Sequence, residues 1–209
     1  LSKLLRIWSG LGYNRRAIYL QKTAQAIISE HNGVFPQDVS ELERLPGIGP
    51  YTARAVSVFA FHQPQIVLET NIRRVFIHTF FPHAQNIEDG ALLPLIKKTL
   101  YKKDPHLWYS ALMDYGAVCI KNVPNPNRRS AQHVRQSRFE GSPRYARAHI
   151  LRYLLERGKS SPSEMKKFFQ TNAHLMPYAE EAQFAQLLEK LAKDGFLSVK
   201  RGKISLVRR

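Results

Sequence analysis

A chain of 209 residues, 44% of them hydrophobic, can bury one large core or two small ones. Thirty-two Lys and Arg against sixteen Asp and Glu leave a net charge of +16, which points to a polyanionic partner. No apolar run approaches the ~20 residues of a bilayer span, and no signal-peptide pattern opens the chain, so no membrane partner is expected. The single cysteine, Cys119, excludes an internal disulfide and fits a reducing compartment. The charge is uneven: residues 1–120 hold 13 basic and 9 acidic side chains, residues 121–209 hold 19 and 7.

The chain begins inside a helix pattern, with Leu1, Leu4, Leu5 and Trp8 on one face. Ser9-Gly10-Leu11-Gly12 turns, and Asn14–Glu30 continues as an amphipathic helix burying Ala17, Leu20, Ala24, Ile27 and Ile28. Asp38 is placed to cap a short helix ending at Arg44. Gly47 and Gly49 flank Ile48, so the backbone can turn tightly with its N–H groups exposed. Pro50 suits the first position of the next helix. A loop of free N–H groups on a helix N-terminus is a phosphate site, here formed by Gly47, Ile48, Gly49, Tyr51 and Thr52.

The helix from Tyr51 to Phe61 is apolar almost all round and reads as a central core helix. Pro64 stops it, Ile66-Val67-Leu68 runs extended, and Glu69 stands just ahead of a helix over Thr70–Phe80. Helices follow over about Asp89–Tyr101 and His106–Ile120, with Cys119 a small apolar core residue. Residues 122–143 are basic and rich in Pro and Asn, a linker expected to run over the surface. Beyond it come helices over Tyr145–Arg157, from Ser161 to about Gln170, and over Tyr178–Asp194. FLSVKRGKISLV then alternates as a hairpin turning at Arg201-Gly202. Three helices and a two-stranded wing resemble a winged helix, a unit that binds DNA in many proteins and proteins in others. No strand pattern of any length precedes residue 196.

LPGIGPYTARAV (Leu45–Val56) followed by VLETNIRRV (Val67–Val75) resembles the core of the helix-hairpin-helix DNA glycosylases, the superfamily of endonuclease III. Trp8–Ile27 and Phe35-Pro36 make the resemblance strongest to MutY-type, A/G-specific adenine glycosylases. The likeness covers residues 1 to about 120. It implies an all-α glycosylase domain over 1–121 that continues upstream of Leu1, a basic linker over 122–143, and a winged-helix-like domain over 144–209. Gly10 and Gly12 repeat the hairpin glycine spacing. They are either a second, degenerate hairpin gripping DNA together with Arg15, or an ordinary helix–helix turn.

By the same resemblance, Glu69 stands at the position of the family's catalytic aspartate. Breaking the bond between a base and deoxyribose develops positive charge on the sugar, which a fixed anion stabilises. Glu in place of Asp adds one methylene, moving the carboxylate by about 1.5 Å, and Thr70 replaces a small residue. Tyr51 falls where bifunctional relatives carry the lysine that forms an imine, so a monofunctional glycosylase using water is implied. Asn71 is a candidate partner of the carboxylate or of a backbone phosphate. The family's wedge residue and adenine-protonating acid lie in the segment upstream of Leu1.

The family's iron–sulfur cluster needs four cysteines after the last helix; one is present, so no cofactor is expected. No histidine spacing suits a metal. Arg128, Arg129, Arg135 and Arg138 are candidates to take over phosphate contacts from a cluster loop. The implied activity is base-excision repair, removing adenine opposite guanine or 8-oxoguanine from double-stranded DNA. The expected protein is a monomer in the cytoplasm or nucleoid. Two alternatives stand beside this: a thymine or uracil glycosylase acting on G mismatches, and a non-catalytic binder of distorted DNA.

Overall fold

A computed structural model describes residues 1–207. The chain divides into two compact units, Gln25–Arg135 and a second made of Leu1–Ala24 with Gln136 onward. The expected boundary after residue 121 is therefore not the one found. The reason is burial: Leu1, Leu5, Ala17 and Ile18 belong to one core with Ile150, Leu154, Phe169 and Phe184. No helix of the described residues is long and apolar enough to cross a membrane.

The first unit is helical. It takes the C-terminal part of α2 (Arg15–Glu30), then α3 (Val39–Arg44), α4 (Pro50–Phe61), α5 (Thr70–Phe80), α6 (Asp89–Thr99) and α7 (Pro105–Asp114). Asp38 caps α3 as its sequence promised, accepting from the Ser40 and Glu41 amides. The central helix is α5, whose Ile72, Val75, Phe76 and Ile77 are buried with Val58, Val67, Leu92, Ile96 and Tyr109. The apolar α4, expected at the centre, buries only Ala53, Ser57 and Val58. It ends at Phe61 through a left-handed His62, two residues before Pro64.

Two other expectations change. Instead of one long helix to Ile120, α7 passes into a π-helical turn over Tyr115–Cys119. Cys119 is exposed there, not in the core. The linker does not run wholly over the surface: Pro126–Arg129 is a 3-10 turn with Pro126 and Asn127 buried, and Ser130 is buried after it. Ser130 and Ile87 form a parallel bridge, with the Ile87 amide donating to the Arg129 carbonyl at 2.8 Å and the Ala131 amide to the Ile87 carbonyl at 2.9 Å.

The second unit holds α1 (Ser2–Ile7), the start of α2, α8 (Pro143–Arg157), β1 (Lys159–Ser160), α9 (Pro162–Gln170), a 3-10 turn (Met176–Ala179), α10 (Glu181–Lys193), β2 (Leu197–Lys200) and β3 (Lys203–Leu206). The strands form an antiparallel sheet in the order β1-β3-β2. This is a winged-helix arrangement, and it contains one strand, β1, too short to leave a pattern in the sequence. Along α2 the buried residues are Ala17, Ile18, Thr23, Ala26 and Ile27, leaving Leu20 and Ile28 exposed. The stripe is rotated because the two halves of the helix serve different cores, Ala17 and Ile18 one and Ala26 and Ile27 the other.

Candidate active site

The turn between α3 and α4 is built from two glycines in different conformations. Gly47 is left-handed (φ 78°), and the Ile48 amide donates back to the Leu45 carbonyl at 3.1 Å. Leu45 is buried, and Ile48 packs on its cluster with Ala26, Ile27, Leu42 and Ala53, so the turn is nailed down from beneath. Gly49 is extended (φ −94°, ψ 176°) and is the N-cap of α4. Any residue can adopt that backbone, and a Cβ there would meet nothing within 4 Å. The fold itself does not demand glycine at 49; its bareness opens the surface for close approach by something outside the chain.

No side chain caps α4, and Pro50 at its first position has no N–H. The Tyr51 and Thr52 amides therefore lack an acceptor among the described residues, at the positive end of a 12-residue helix. Gly47, Gly49, Tyr51 and Thr52 are all exposed. The described residues leave these amides free for an acceptor from outside the chain, which is the arrangement an anion site requires.

Glu69 is the N-cap of α5, with its Oε2 accepting from the Asn71 amide at 2.7 Å. It is half-buried and makes no ion pair among the described residues. One carboxylate oxygen thus serves the helix while the other keeps its lone pairs. Asn71 supports the carboxylate with its backbone rather than its side chain. Tyr51 is close enough to feel that charge. Partial burial raises the phenol above its ordinary range, and the negative charge of Glu69 raises it further. The structure joins Glu69 and the Asn71 amide and brings them within electrostatic reach of Tyr51, in the first turn of the helix that carries the free amides. Thr70 points to solvent, so its bulk meets no obstacle.

Residues that no motif marked hold this turn in place. Upstream, the buried Tyr109 hydroxyl donates to the Gln65 carbonyl (2.9 Å) and accepts from the Val67 amide (3.1 Å), pinning the extended run that delivers Glu69. From behind, Asn127 donates through Nδ2 to the Thr70 carbonyl at 3.0 Å. Gly116, in the π-helical turn, lies against Asn71: a Cβ at 116 would sit 2.4 Å from the Asn71 carbonyl oxygen. Arg74 donates to the Gly116 carbonyl at 2.8 Å and ties the two segments together. A lone glycine inside a helical pattern was the one legible signal, since such a residue usually has a packing reason. Tyr109 and Asn127 had none.

The arginines separate. Arg128 and Arg135 are exposed and uncommitted among the described hydrogen bonds and ion pairs. Arg129 is not free for phosphate: its guanidinium donates to the Phe81 and Ile77 carbonyls and caps the C-terminal end of α5. Its neighbour Arg128, one residue earlier on the same 3-10 turn, is exposed. Arg138 belongs to the other compact unit, exposed and paired with Glu140 at 3.2 Å.

Gly10, Gly12 and Arg15 also lie in that second unit. Both glycines are left-handed (φ 92° and 67°), whereas Gly49 is extended, and the Trp8 indole closes the turn on the Gly12 carbonyl at 2.9 Å. The equal spacing is thus not an equal conformation, and the degenerate-hairpin reading loses its geometric basis. Arg15 is engaged by the Tyr19 hydroxyl at 2.7 Å and faces Asp194 at 3.8 Å.

The family model that matches the chain is the helix-hairpin-helix motif, over residues 30–59. Over 127 residues the chain is 51% identical to an adenine DNA glycosylase of Mycobacterium tuberculosis, covering 58% of this chain and 41% of that protein. An adenine DNA glycosylase of Buchnera aphidicola is 37% identical over 132 residues, covering 61% of this chain and 37% of the relative. Endonuclease III of Escherichia coli is 38% identical over 114 residues, covering 54% and 53%. The chain thus spans about half the length of these relatives or less. A glycine turn on a helix N-terminus, a carboxylate capping the next helix and these likenesses point one way: the chain carries a helix-hairpin-helix motif and is similar to adenine DNA glycosylases and to endonuclease III.

Proposed function

We propose that the protein carrying this chain is a monofunctional DNA glycosylase that removes adenine mispaired with guanine or 8-oxoguanine. The observation that carries this is Glu69, which caps α5 with one oxygen and leaves the other unpaired beside Tyr51. The free amides of α4 supply the grip on one phosphate of the strand. A nucleotide turned out of the duplex then presents its sugar to the carboxylate. As the bond between C1′ and the base nitrogen breaks, its electron pair leaves with the base and positive charge grows on the sugar. Glu69, held by the Asn71 amide, stabilises that charge without having to reorganise. Water adds to C1′ as a hydroxyl, keeping one hydrogen, and its other proton balances the one that the departing base takes up. The product is free adenine and an abasic site.

Tyr51 supports the absence of strand cleavage, because a phenol cannot form an imine with the sugar. A four-thiolate cluster does not fit this chain, which has one cysteine, and that one exposed; no step here uses such a group. We place the partner as double-stranded DNA beside the chromosome, with the protein acting as a monomer. The test is single-turnover base release from duplexes carrying A:G, A:8-oxoG, T:G and U:G, developed with alkali. Release of adenine, abolished by Glu69→Gln, is the expected result. Release of thymine or uracil instead would move the substrate to the pyrimidine class, and binding without release, indifferent to Glu69→Gln, would end the catalytic reading.

A further inference from the structure

The three-stranded sheet of the second unit carries an unusual outer face. Paired rows place Lys159, Ser205 and Ser198 side by side across β1, β3 and β2, and Lys200 opposite Lys203 on the same face. These residues and Arg201 line one concavity of 740 Å³ with no acidic residue among its lining. All four cations are exposed.

Two local choices here run against what a hairpin prefers, both in the direction of positive charge. Like charges directly opposite one another destabilise a strand pair, yet Lys200 faces Lys203. Arg201 and Gly202 both have positive φ (49° and 69°), as a type I′ turn requires, and such a turn favours Asn, Asp or Gly where Arg201 stands. One acid, Glu164, is within electrostatic reach of Lys203, but its carboxylate is committed to capping α9, accepting from the Ser161 amide at 2.7 Å. The helix that follows, α10, opens on the exposed Glu180 and on Glu181, which Lys166 pairs, so Glu180 is the acid that repels a phosphate at its N-terminus.

We propose that this sheet face, with the Arg201-Gly202 tip, docks on the phosphate backbone of double-stranded DNA, while α10 does not. Ammonium groups and the guanidinium neutralise phosphates, and Ser198 and Ser205 are half-buried hydroxyls placed between them to donate hydrogen bonds. The contact is to the backbone and independent of sequence. Choosing DNA rests on the reading of the hairpin as a DNA clamp, but not on base release, so the two can fail separately.

The test is a salt titration of binding to a short undamaged duplex, using the whole chain and the variant Lys200→Thr, Arg201→Asn, Lys203→Thr. Each substitution suits its hairpin position better than the parent residue, so the melting temperature should hold or rise. The slope of log affinity against log salt should become shallower by about 2 to 3, roughly one unit for each phosphate that the variant no longer neutralises. Lys200→Arg with Lys203→Arg should keep the parent slope. If the triple variant does not fold, Arg201→Asn alone should lower the slope by about 1. An unchanged slope in a folded variant overturns the proposal, as does a weakening confined to single-stranded RNA.

Discussion

Gly116→Ala tests whether the π-helical turn sets the position of the Glu69 carboxylate, the group proposed to act on the sugar. The new Cβ would stand 2.4 Å from the Asn71 carbonyl oxygen, 3.0 Å from its carbonyl carbon and 3.1 Å from its Cβ. Reaching an ordinary separation takes about 1 Å of movement. The obstacle is backbone rather than a flexible side-chain end, so the first turn of α5 or the 115–119 turn must give way. Overpacking of this kind costs about 1–3 kcal/mol of stability. The Asn71 amide holds Glu69, so the carboxylate moves with it, and a displacement near 1 Å lowers the rate by about a hundredfold.

The assay is single-turnover adenine release by the full-length protein, beside its denaturation midpoint. Gly90→Ala is the control, because a Cβ there meets nothing and the residue lies in α6; it should hold or raise stability by about 0.5–1 kcal/mol. A Gly116→Ala protein that melts with the parent and releases adenine within about twofold, against the ~hundredfold expected, would refute the link between turn and carboxylate.

Asn127→Ala removes the side-chain bond to the Thr70 carbonyl, a loss of about 0.5–1.5 kcal/mol. Its adenine release should fall in kcat with KM little changed, a split that general loosening of the fold would not produce. Tyr51→Lys should introduce an amine beside Glu69, and borohydride should then trap a covalent protein–DNA adduct that the parent does not form; no adduct would separate position 51 from the sugar. The Glu164 carboxyl is held below the usual carboxylate range by the Ser161 amide and hydroxyl and then by Ser160, and Asp38 by the Ser40 hydroxyl and the Glu41 and Ser40 amides. A folded-state pKa below the unfolded value stabilises the fold above the unfolded pKa and ceases to do so as pH falls through the folded one. Acid unfolding below about pH 4 should therefore shallow in Glu164→Gln, as followed by circular dichroism.

Much of the carboxylate site was legible in the order of residues. The hairpin glycines, the proline that opens α4 and the acid ahead of α5 are local signals, and local backbone chemistry acts over a few residues. The limits of α5, the Asp38 cap and the Arg201-Gly202 turn came from the same source. The rotation of the α2 stripe did not, because periodicity says that a face is buried and not which core each half meets. Arg129 looked like one cation among four in a polar stretch, and only the approach of residues 77 and 81 makes it a helix cap.

By itself, then, the sequence determined the glycine turn before α4 and the acid that caps α5, since both depend on neighbours in the chain. Tertiary structure decided how the acid is aimed. Tyr109, Gly116 and Asn127 lie more than forty positions from the groups they hold, and contacts across such separations leave no period or spacing to read. The third strand followed the same rule: two residues are too short for a pattern, and Lys159-Ser160 became a strand only because β3 offered it an edge.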